Sequence, residues 1–469
     1  MSESIATEYD LCVIGGGSAG YAGAVTAADL GKTVVIVDGP GPLAGLCILR
    51  GCMPSKTLLR SAEVAQLVRR ADEYGIIAQP PRIDVEAVVR RKRRIIKEFA
   101  DYRIEGIESF PVIREAARFS GPNTIEAGAQ TIAADRFLIA TGSTIAVPAI
   151  PGLIEAGFVT SDDVLELESL PESVVVLGGG PTACELAQYL CRLGVATTIV
   201  QRSPTLLSDE DEDVALSLRG ALERDGITVI TDTKLTGVER SGGSKSVRYV
   251  RDGREQTVKA QEVFVALGRD PNIGGLGLEA AGIGHGDGIE VDEFLRTTNP
   301  KVYAAGDVLH ESWQLVHVAV HEGMLAVRNA FSSRPSKVDY SLQSARAVFT
   351  EPQVAVAGLT ERECAKRGIV YAIASYPFDD LGKGIATGRT EGFVKMLAAR
   401  DGTIVGVAIV GAEASDLIHE AIALLYFGAN VRDVLEMPHL HPTLAEIMTY
   451  PAESLMERLD HEKRPLVTP

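Results

Sequence analysis

The sequence predicts an α/β fold in which two Rossmann-like units are followed by an α+β unit. Residues 9–38 are typical of a strand, a glycine-rich turn, a helix and a second strand, with the segments YDLCVIGGGSAG, AGAVTAADLG and KTVVIVD. Residues 173–200 repeat this order in SVVVLGGG, PTACELAQYLCRLG and VATTIV. Residues 341–469 then mix strands such as FVKMLAA with helices such as ASDLIHEAIALLYFG. A chain of 469 residues has room for several such units, because domains hold about 100–200 residues each.

The first glycine-rich turn, GGGSAG, has the spacing of a dinucleotide-binding motif. Gly15 allows a tight turn, Gly17 lets the backbone approach a pyrophosphate, and Gly20 lets the helix pack closely on the strand. Asp38 ends the second strand, where a carboxylate can accept hydrogen bonds from an adenosine ribose. One such motif is also compatible with a tight turn that binds nothing, but two similar units in one chain predict two bound nucleotides.

The second turn, GGGPTA, differs from the first in the strand that comes after it. Gly178, Gly180 and Ala183 occupy the three motif positions, and the next strand runs into Gln201 and Arg202 without an acid. A carboxylate would repel the 2′-phosphate of NADP, whereas an arginine can pair with it. The second unit therefore favours NADP(H), with a solvated Arg202 as the alternative.

Composition and charge exclude several classes of protein. The chain is 46% hydrophobic and has a net charge of -17, and no apolar run approaches the roughly 20 residues that cross a bilayer. The basic run Arg90–Arg94 lies within a helical pattern near residues 84–108, where it predicts a solvated helix face rather than a nucleic-acid site. The start, MSESIATEYD, lacks a basic and apolar leader, so we expect a cytoplasmic protein without a membrane partner.

The segment GLCILRGCMPSK places Cys47 and Cys52 just after the first unit. Zinc is one alternative, but a zinc site needs about four ligands, and no second pair with suitable spacing is nearby. Five residues of regular helix rise about 7.5 Å, more than the roughly 4.4–6.8 Å between bridged Cα atoms, so we expect a distortion near Gly51. A bridge in a reducing cytoplasm is more often catalytic than structural, and two buried thiols are the alternative. The other cysteines are expected to be buried thiols: Cys12, Cys184, Cys191 and Cys364.

Further segments accompany the two turns and the cysteine pair. They are ATG ending at Gly142, ALGRDPN around Gly268, YAAGD ending at Asp307, and HPTLAE from His441. With them the sequence resembles the class I pyridine nucleotide-disulfide oxidoreductases, the family of dihydrolipoyl dehydrogenase, glutathione reductase and mercuric reductase. The resemblance covers nearly the whole chain and implies bound FAD and NAD(P).

The resemblance also implies a domain order and an assembly. An FAD-binding domain would occupy residues 1–145, an NAD(P)-binding domain 146–270, a central domain completing the FAD site 271–340, and a dimerisation domain 341–469. In this family each active site is completed by the partner subunit, so a homodimer is expected.

By resemblance, residues in the first, central and NAD(P) segments would hold the cofactors. Asp307 would bind the ribityl chain of FAD, and Lys56 would lie beside the flavin ring in an ion pair with Glu185. The cofactor-binding set is Gly15, Gly17, Gly20, Asp38, Lys56, Thr141, Gly142, Asp307, Gly178, Gly180, Ala183, Glu185, Arg202 and Gly268.

The family's catalytic roles also have matching residues. Cys52 would face the flavin, Cys47 would exchange with the substrate, and His441, oriented by Glu446, would be the base supplied across the dimer. A histidine held by a carboxylate suits this chemistry, because thiol exchange proceeds through a thiolate. The implied mechanism is a ping-pong transfer between a dithiol, the cysteine pair, FAD and NAD(P), in either direction.

The substrate class most similar to this sequence is that of dihydrolipoyl dehydrogenase, on the segments LVHVAVHEG, FTEPQVAVAGLT and HLHPTLAE. Glutathione is disfavoured, because Val25 and Met324 stand where carboxylate-binding arginines are expected. Mercury is disfavoured by the retained His441 and the ending EKRPLVTP, despite mercuric-reductase-like features near Glu185. The alternatives are a mercuric or other disulfide reductase with a specialised acceptor, and a nucleotide-bound structural subunit. The expected substrate is a small dithiol or disulfide, or a protein that carries a lipoyl group.

Two histidine pairs raise the question of a metal site. His317 and His321 are four residues apart, and His439 and His441 are two apart. No carboxylate or thiol completes a convincing ligand set in the sequence, so no metal is expected.

Overall fold

The computed structural model describes residues 7–341 and 344–460. The strands in this part of the chain are β1 (Thr7–Ile14), β2 (Val34–Val37), β3 (Val112–Ile113), β4 (Ala117–Gly121), β5 (Thr124–Ala127), β6 (Gln130–Ile139), β7 (Ser143–Ile145), β8 (Ser173–Leu177), β9 (Ala196–Val200), β10 (Thr228–Ile230), β11 (Lys234–Ser241), β12 (Ser244–Arg251), β13 (Arg254–Ala260), β14 (Glu262–Val265), β15 (Arg269–Pro271), β16 (Val302–Ala304), β17 (Arg346–Val348), β18 (Gln353–Gly358), β19 (Tyr371–Pro377), β20 (Phe393–Ala399) and β21 (Ile404–Gly411).

The helices lie between and after these strands, singly or in short groups. They are α1 (Ser18–Asp29), α2 (Leu46–Arg50), α3 (Cys52–Arg69), α4 (Val85–Glu108), α5 (Leu153–Ala156), α6 (Ser161–Val164), α7 (Pro181–Arg192), α8 (Glu212–Arg224), α9 (Val316–Phe331), α10 (Glu361–Arg367), α11 (Gly382–Thr387), α12 (Ala414–Tyr426), α13 (Val431–Glu436) and α14 (Thr449–Asp460). Short 3₁₀ turns cover Ala71–Tyr74, Leu278–Ala281, Phe378–Asp380 and Ala445–Met448. Among the described residues, no helix has the length and apolar character that crossing a membrane requires.

The first compact unit contains the described residues up to Thr57, the segment Ala87–Ala146, and those from Gly268 to the gap at 342–343. Its main sheet has the order β3-β2-β1-β6-β5-β4, and β16 also pairs with β6. The strands β2, β1, β6 and β16 run parallel, which places their carboxyl ends at one edge of the sheet. Parallel sheets are covered on both faces, and β2 is accordingly buried along its whole length. A two-stranded antiparallel ribbon, β7 with β15, belongs to the same unit.

The second compact unit contains Leu58–Glu86, Val147–Leu267 and the described residues from Ser344 onward. A parallel sheet with the order β10-β9-β8-β14 repeats the strand-turn-helix-strand plan of the first unit. The antiparallel sheet β11-β12-β13 is inserted between β10 and β14. The C-terminal segment forms a separate antiparallel sheet, β17-β18-β21-β20-β19, which packs with α12 and α14 in one hydrophobic core.

The two strand-turn-helix-strand units predicted from the sequence are confirmed as β1-α1-β2 and β8-α7-β9. The arginine-rich helix is confirmed as α4, but its solvated face is only partly so, because Lys92 is 2% exposed. The sequence pattern of a helix does not show which of its charged residues will be covered by segments that are distant in the chain. Cys191 is likewise half-buried rather than buried, unlike Cys12, Cys184 and Cys364.

The C-terminal segment contains more elements than its sequence pattern indicated. The run AVFTEPQVAVAGL forms two strands, β17 and β18, joined by a tight hairpin with a cis Glu351–Pro352 peptide. The strand β19 and the short helices α10, α11 and α13 were not expected, because segments of six or seven residues give little periodicity. The division into domains ending at residues 145, 270 and 340 remains a prediction.

Candidate functional site

The first glycine-rich turn joins β1 to α1 and is sterically closed to larger residues. Gly15 has a φ of +105°, and a Cβ there would lie 2.4 Å from the Ala140 carbonyl oxygen. A Cβ on Gly20 would lie 1.8 Å from the carbonyl oxygen of Gly15. The N-cap residue Gly17 has no side chain to cap α1, so the first N–H groups of the helix are available to an anion.

The residues around this turn fit the diphosphate and ribose of FAD. Gly45 has a φ of +79°, and a Cβ there would lie 2.7 Å from the Gly17 Cα, so the loop after β2 approaches the turn through two glycines. Asp38 follows β2, and burial raises the pKa of its carboxyl, opposed by a hydrogen bond from the Gly16 backbone and by Arg114. A small-residue cradle, a helix N-terminus and a single carboxylate form the donor and acceptor set expected for this cofactor.

The second turn, between β8 and α7, has the same geometry. Gly178 has a φ of +116°, and a Cβ there would lie 2.3 Å from the Ala266 carbonyl oxygen, as Gly15 does with Ala140. Gly180, the N-cap of α7, has open space where a Cβ would be, and Ala183 is fully buried one turn into the helix. The turn therefore fits a second dinucleotide.

The end of β9 offers this dinucleotide no carboxylate. Gln201 is 9% exposed, and its Oε1 accepts a hydrogen bond from the Arg202 backbone at 3.1 Å. The Thr233 hydroxyl donates to the Gln201 carbonyl at 2.9 Å, which fixes the backbone here. Arg202 itself is exposed, so a cationic side chain stands at the surface beside the second turn.

The cysteine pair spans a break between two helices. The helix α2 ends at Arg50, Gly51 has φ -126° and ψ -116°, and α3 begins at Cys52. A Cβ on Gly51 would lie 3.0 Å from the Cys47 Cα, so this glycine permits the close approach that the sequence required. Ile48 packs with Ala44 and Ala100 in a small hydrophobic cluster, which anchors α2.

The two cysteines lie next to each other as thiols that are not joined in a disulfide. A hydrogen bond between the Cys47 and Cys52 side chains raises the pKa of the Cys47 thiol, and burial raises it further. The positive charge of Lys56, near the start of α3, acts in the opposite direction. A thiol with a raised pKa exchanges slowly unless a base removes its proton.

The other predicted cofactor residues of the first unit lie after β6, before β15 and after β16. After β6, the Thr141 hydroxyl donates to the Asn272 carbonyl at 2.8 Å, and Gly142 has a φ of +70°. Gly268 precedes β15 with a φ of +110°, and its carbonyl accepts a hydrogen bond from the Ala146 backbone. Asp307 follows β16 and accepts a hydrogen bond from the Ser143 hydroxyl at 2.7 Å.

In the second unit, Glu185 lies on the face of α7 whose side chains hydrogen-bond to the hairpin between β17 and β18. Its Oε1 accepts a hydrogen bond from the Phe349 backbone at 2.9 Å, in the hairpin between β17 and β18. Gln188 bonds both the N–H and the carbonyl of Glu351 at 2.8 Å, and Arg192 bonds the Glu351 carboxylate at 2.6 Å. The helix α7 is therefore fixed to the C-terminal sheet by side chains that are 2–7% exposed.

His441 and Glu446 form the expected histidine–carboxylate pair. The His441 Nδ1 lies 2.9 Å from Glu446 Oε2, and the histidine side chain is 78% exposed while the glutamate is 12% exposed. The nearby His439 is 8% exposed, with Nε2 2.9 Å from Glu420 Oε1 and Nδ1 3.1 Å from the Met437 carbonyl. His439 is thus packed, and the imidazole of His441 is the one that a partner molecule can reach.

A cluster of three carboxylates resembles a metal site, but the ammonium of a lysine lies at its centre. Asp211, Asp213 and Glu361 form this cluster in the described part of the chain. The Lys395 ammonium lies 2.9, 2.6 and 2.9 Å from their oxygens and is 1% exposed. The cation of this cluster is therefore supplied by the protein.

Sequence reasoning missed several residues that support the predicted ones. Ser143 directly follows ATG, and Glu322 lies in the segment HEG, but their roles depend on contacts between segments far apart in the chain. Gln188 and Arg192 follow Glu185 at helical spacing, which was the one available signal for their shared face. The ion pair between Lys56 and Glu185 remains a prediction, as do the individual roles of all site residues.

Two dinucleotide-type turns and an adjacent thiol pair define a flavin-dependent oxidoreductase of the disulfide class. Residues 9–323 match the family model described as pyridine nucleotide-disulphide oxidoreductase, and residues 344–452 match the dimerisation domain of that family. The chain belongs to the pyridine nucleotide-disulphide oxidoreductase family.

Curated relatives of two activities are about equally similar to the chain. A mercuric reductase of Bacillus cereus is 33% identical over 445 residues, covering 94% of this chain and 70% of the relative. A dihydrolipoyl dehydrogenase of Bacillus subtilis (strain 168) is 34% identical over 467 residues, covering 94% of this chain and 97% of the relative. Among solved structures, the HOCl-induced flavoprotein disulfide reductase RclA from Escherichia coli has a TM-score of 0.84 at 22% identity, covering 95% and 99% of the two chains, which shows a shared fold.

These comparisons confirm the predicted family, the α/β fold class with its dimerisation domain, and the oxidoreductase class. Members of the family are FAD-binding flavoproteins that use NAD(P)H, so FAD and NAD(P) are confirmed as the cofactors. The preference for NADP(H) remains a prediction. The dimerisation domain supports the expected homodimer.

Proposed function

We propose that this protein exchanges reducing equivalents between NAD(P)H and a dithiol/disulfide substrate of the dihydrolipoyl type, through Cys47 and Cys52. The observation that carries the proposal is the hydrogen-bonded thiol pair across the helix break at Gly51. Two thiols this close can form and release a disulfide without large movement. Two cysteines that were merely buried would not need to lie so close together.

The chain's own residues account for the thiol chemistry. A substrate thiolate attacks Cys47 of the oxidised pair, which forms a mixed disulfide and releases Cys52 as a thiolate. The second substrate thiolate then attacks its own partner sulfur, so the substrate leaves as a disulfide and both cysteines are reduced. His441 takes the substrate protons and Glu446 stabilises the charged imidazole. In the reverse direction the same base takes the proton of the Cys47 thiol, whose pKa is raised.

Cofactor binding is assigned to the residues at the two glycine turns and the strand ends. When bound, FAD supplies the two-electron exchange between the nicotinamide and the cysteine pair. The residues proposed to hold FAD are Gly15, Gly17, Gly20, Asp38, Lys56, Thr141, Gly142, Gly268 and Asp307, and those proposed for NAD(P) are Gly178, Gly180, Ala183, Glu185 and Arg202.

The dimer completes the proposed site. His441 is highly exposed in the single chain although it is held by Glu446, as suits a base that serves the thiols of a partner subunit. We further propose a cytoplasmic location, where a reducing environment keeps a catalytic cysteine pair in exchange. The macromolecular substrate would be a protein that carries a lipoyl group.

The acceptor test uses the FAD-loaded protein with NADH or NADPH and separate additions of lipoamide, glutathione disulfide and Hg(II). Lipoamide turnover that disappears in Cys47→Ser supports the proposal. The control is Cys191→Ser, since Cys191 is a half-buried thiol outside the pair whose contact with the Asp225 carbonyl a serine can keep. Turnover with Hg(II) but with neither disulfide would instead indicate the activity of the relatives named mercuric reductase. Flavin reduction without any turnover of these acceptors would reject the dihydrolipoyl substrate.

NADP(H) is the proposed coenzyme, because Gln201 is committed to internal hydrogen bonds and Arg202 is exposed. Arg202→Ala should raise the KM for NADPH about tenfold, the equivalent of one charge-assisted hydrogen bond, and leave the KM for NADH unchanged. The matched control is Arg240→Ala, another exposed arginine of the same unit. An equal effect of Arg202→Ala on both coenzymes would contradict the proposal.

A further inference from the structure

The turn Gly306–Asp307 occupies a crowded position beside the first nucleotide site. It follows β16, which pairs with β6, and Gly306 has a φ of +80°. A Cβ on Gly306 would lie 3.3 Å from the Ala319 Cβ and 3.4 Å from the Ala19 Cβ. The turn is therefore packed between α9 and the first turn of α1, the helix that starts at the glycine cradle.

On one side, the Asp307 carboxylate is held by a directed chain of hydrogen bonds. The Arg269 Nε donates to the Ser143 hydroxyl oxygen at 2.8 Å, and its Nη2 donates to the Ser143 carbonyl at 2.9 Å. Because the hydroxyl oxygen accepts from arginine, its own proton points to Asp307, 2.7 Å away. The ribbon of β7 and β15 fixes Ser143 and Arg269 relative to each other.

On the other side, a buried carboxylate holds the backbone of the turn. Glu322 of α9 is fully buried, and its two oxygens accept from the Gly306 N–H and the Tyr340 hydroxyl, each at 2.6 Å. Burial raises the pKa of the Glu322 carboxyl, while both hydrogen bonds favour the carboxylate. A charge in such a position is costly to bury and is retained only with donors on its oxygens.

We propose that Ser143 and Glu322 are positioning residues that hold the Gly306–Asp307 turn from its two sides, so that the Asp307 carboxylate is oriented to bind FAD. The inference rests on the proposed role of Asp307 as a ligand of the cofactor. Neither residue needs to touch FAD, since each acts through the turn.

The first test measures release of FAD from the holoenzyme, followed by the fluorescence of free FAD. Ser143→Ala should speed release about tenfold, because it removes a hydrogen bond to a charged group. Ser143→Thr keeps the hydroxyl and should stay within about threefold of the wild type. Ser120→Ala, at an exposed serine of the same unit, is the control and should release FAD at the wild-type rate. Equal rates for Ser143→Ala and wild type would overturn the role of Ser143.

The second test separates contacts from charge at Glu322. In Glu322→Gln the amide oxygen can accept from Gly306 and the amide nitrogen can donate to the Tyr340 hydroxyl, so release should change less than about threefold. Glu322→Ala removes both contacts and should release FAD more than about tenfold faster. The control is Glu126→Gln, at an exposed residue of β5. Should Glu322→Ala fail to fold, Tyr340→Phe removes one donor, and an unchanged release rate there would count against the proposal.

A reference variant separates this inference from the proposed function. If Asp307→Asn releases FAD at the wild-type rate, the assumed role of Asp307 is wrong. If Asp307→Asn releases FAD faster but Ser143→Ala and Glu322→Ala do not, Asp307 is a ligand and the two positioning roles are rejected. Faster release in all three, with recovery in Ser143→Thr and Glu322→Gln, supports the inference.

Discussion

His441 has an exposed imidazole and a fixed carboxylate partner, a combination that suits a base acting on another molecule. Its Nδ1 is held by Glu446, so Nε2 is the atom left to take a proton. His441→Gln should lower turnover with a dithiol by about 10²- to 10⁴-fold, the usual contribution of a positioned base. Reduction of the flavin by NAD(P)H should be unaffected, because that step does not involve the dithiol; stopped-flow spectra measure both.

The control for His441 is another surface histidine–glutamate pair. His285 lies 3.2 Å from Glu279 in the first unit, outside the proposed site. His285→Gln should leave both half-reactions at wild-type rates. A loss of flavin reduction in His441→Gln would indicate misfolding or a different role, and full dithiol turnover in that variant would reject His441 as the base.

Two single residues, Gly51 and Lys92, show which structural features could be predicted from the sequence. Gly51 was expected to distort the helix because the Cys47–Cys52 spacing does not fit a regular helix, and the break between α2 and α3 confirms it. Lys92 was expected to be solvated and is buried, because its neighbours in sequence do not determine what packs against it. Spacing constraints are local, whereas burial depends on segments distant in the chain.

The helix α7 is the element that links the second glycine turn to the C-terminal sheet. Arg192 is 7% exposed and bonds Asp225 at 2.8 Å and Glu351 at 2.6 Å. Removing one member of a buried ion pair leaves the charge of its partner unpaired, which lowers the free energy of unfolding by about 3–5 kcal/mol. Arg192→Met should therefore lower the thermal unfolding midpoint of the holoenzyme by several degrees.

The matched comparison for Arg192 is a surface ion pair of the same unit. Arg224 lies 3.1 Å from Glu391, but the two side chains are 61% and 48% exposed. Arg224→Met should cost no more than about 1 kcal/mol, because water replaces the lost partner. Equal destabilisation by both variants would show that burial of the Arg192 network is not what stabilises α7.

For the whole molecule, the C-terminal segment carries both the dimerisation domain and an exposed apolar surface. Tyr426, Phe427 and Leu440 are 68%, 80% and 79% exposed in the single chain. Phe427→Asp should shift the protein toward monomers in sedimentation experiments and reduce dithiol turnover, since the proposed site needs His441 of a second subunit. Such an apolar surface is stabilised by contact with a partner.

Ile154→Asp controls for the general effect of a new surface charge. Ile154 is 67% exposed in the second unit, outside the residues that match the dimerisation domain, so this variant should remain dimeric and active. A Phe427→Asp protein that is fully dimeric would place the interface elsewhere. A stable monomer with full dithiol turnover would contradict the shared active site.

The sequence by itself determined the two glycine-turn units, the cysteine pair with its helix break, and the family. The turns and the helix break depend on residues close together in the chain, where steric limits on φ and fixed helical rise leave few alternatives. The family depends on several such short segments taken together. Only the tertiary structure decided the Ser143 and Glu322 contacts with the Gly306–Asp307 turn, the bonded face of α7 and the burial of Lys395. Those contacts join segments tens to hundreds of residues apart, and their hydrogen bonds exist only after the strands and helices have packed.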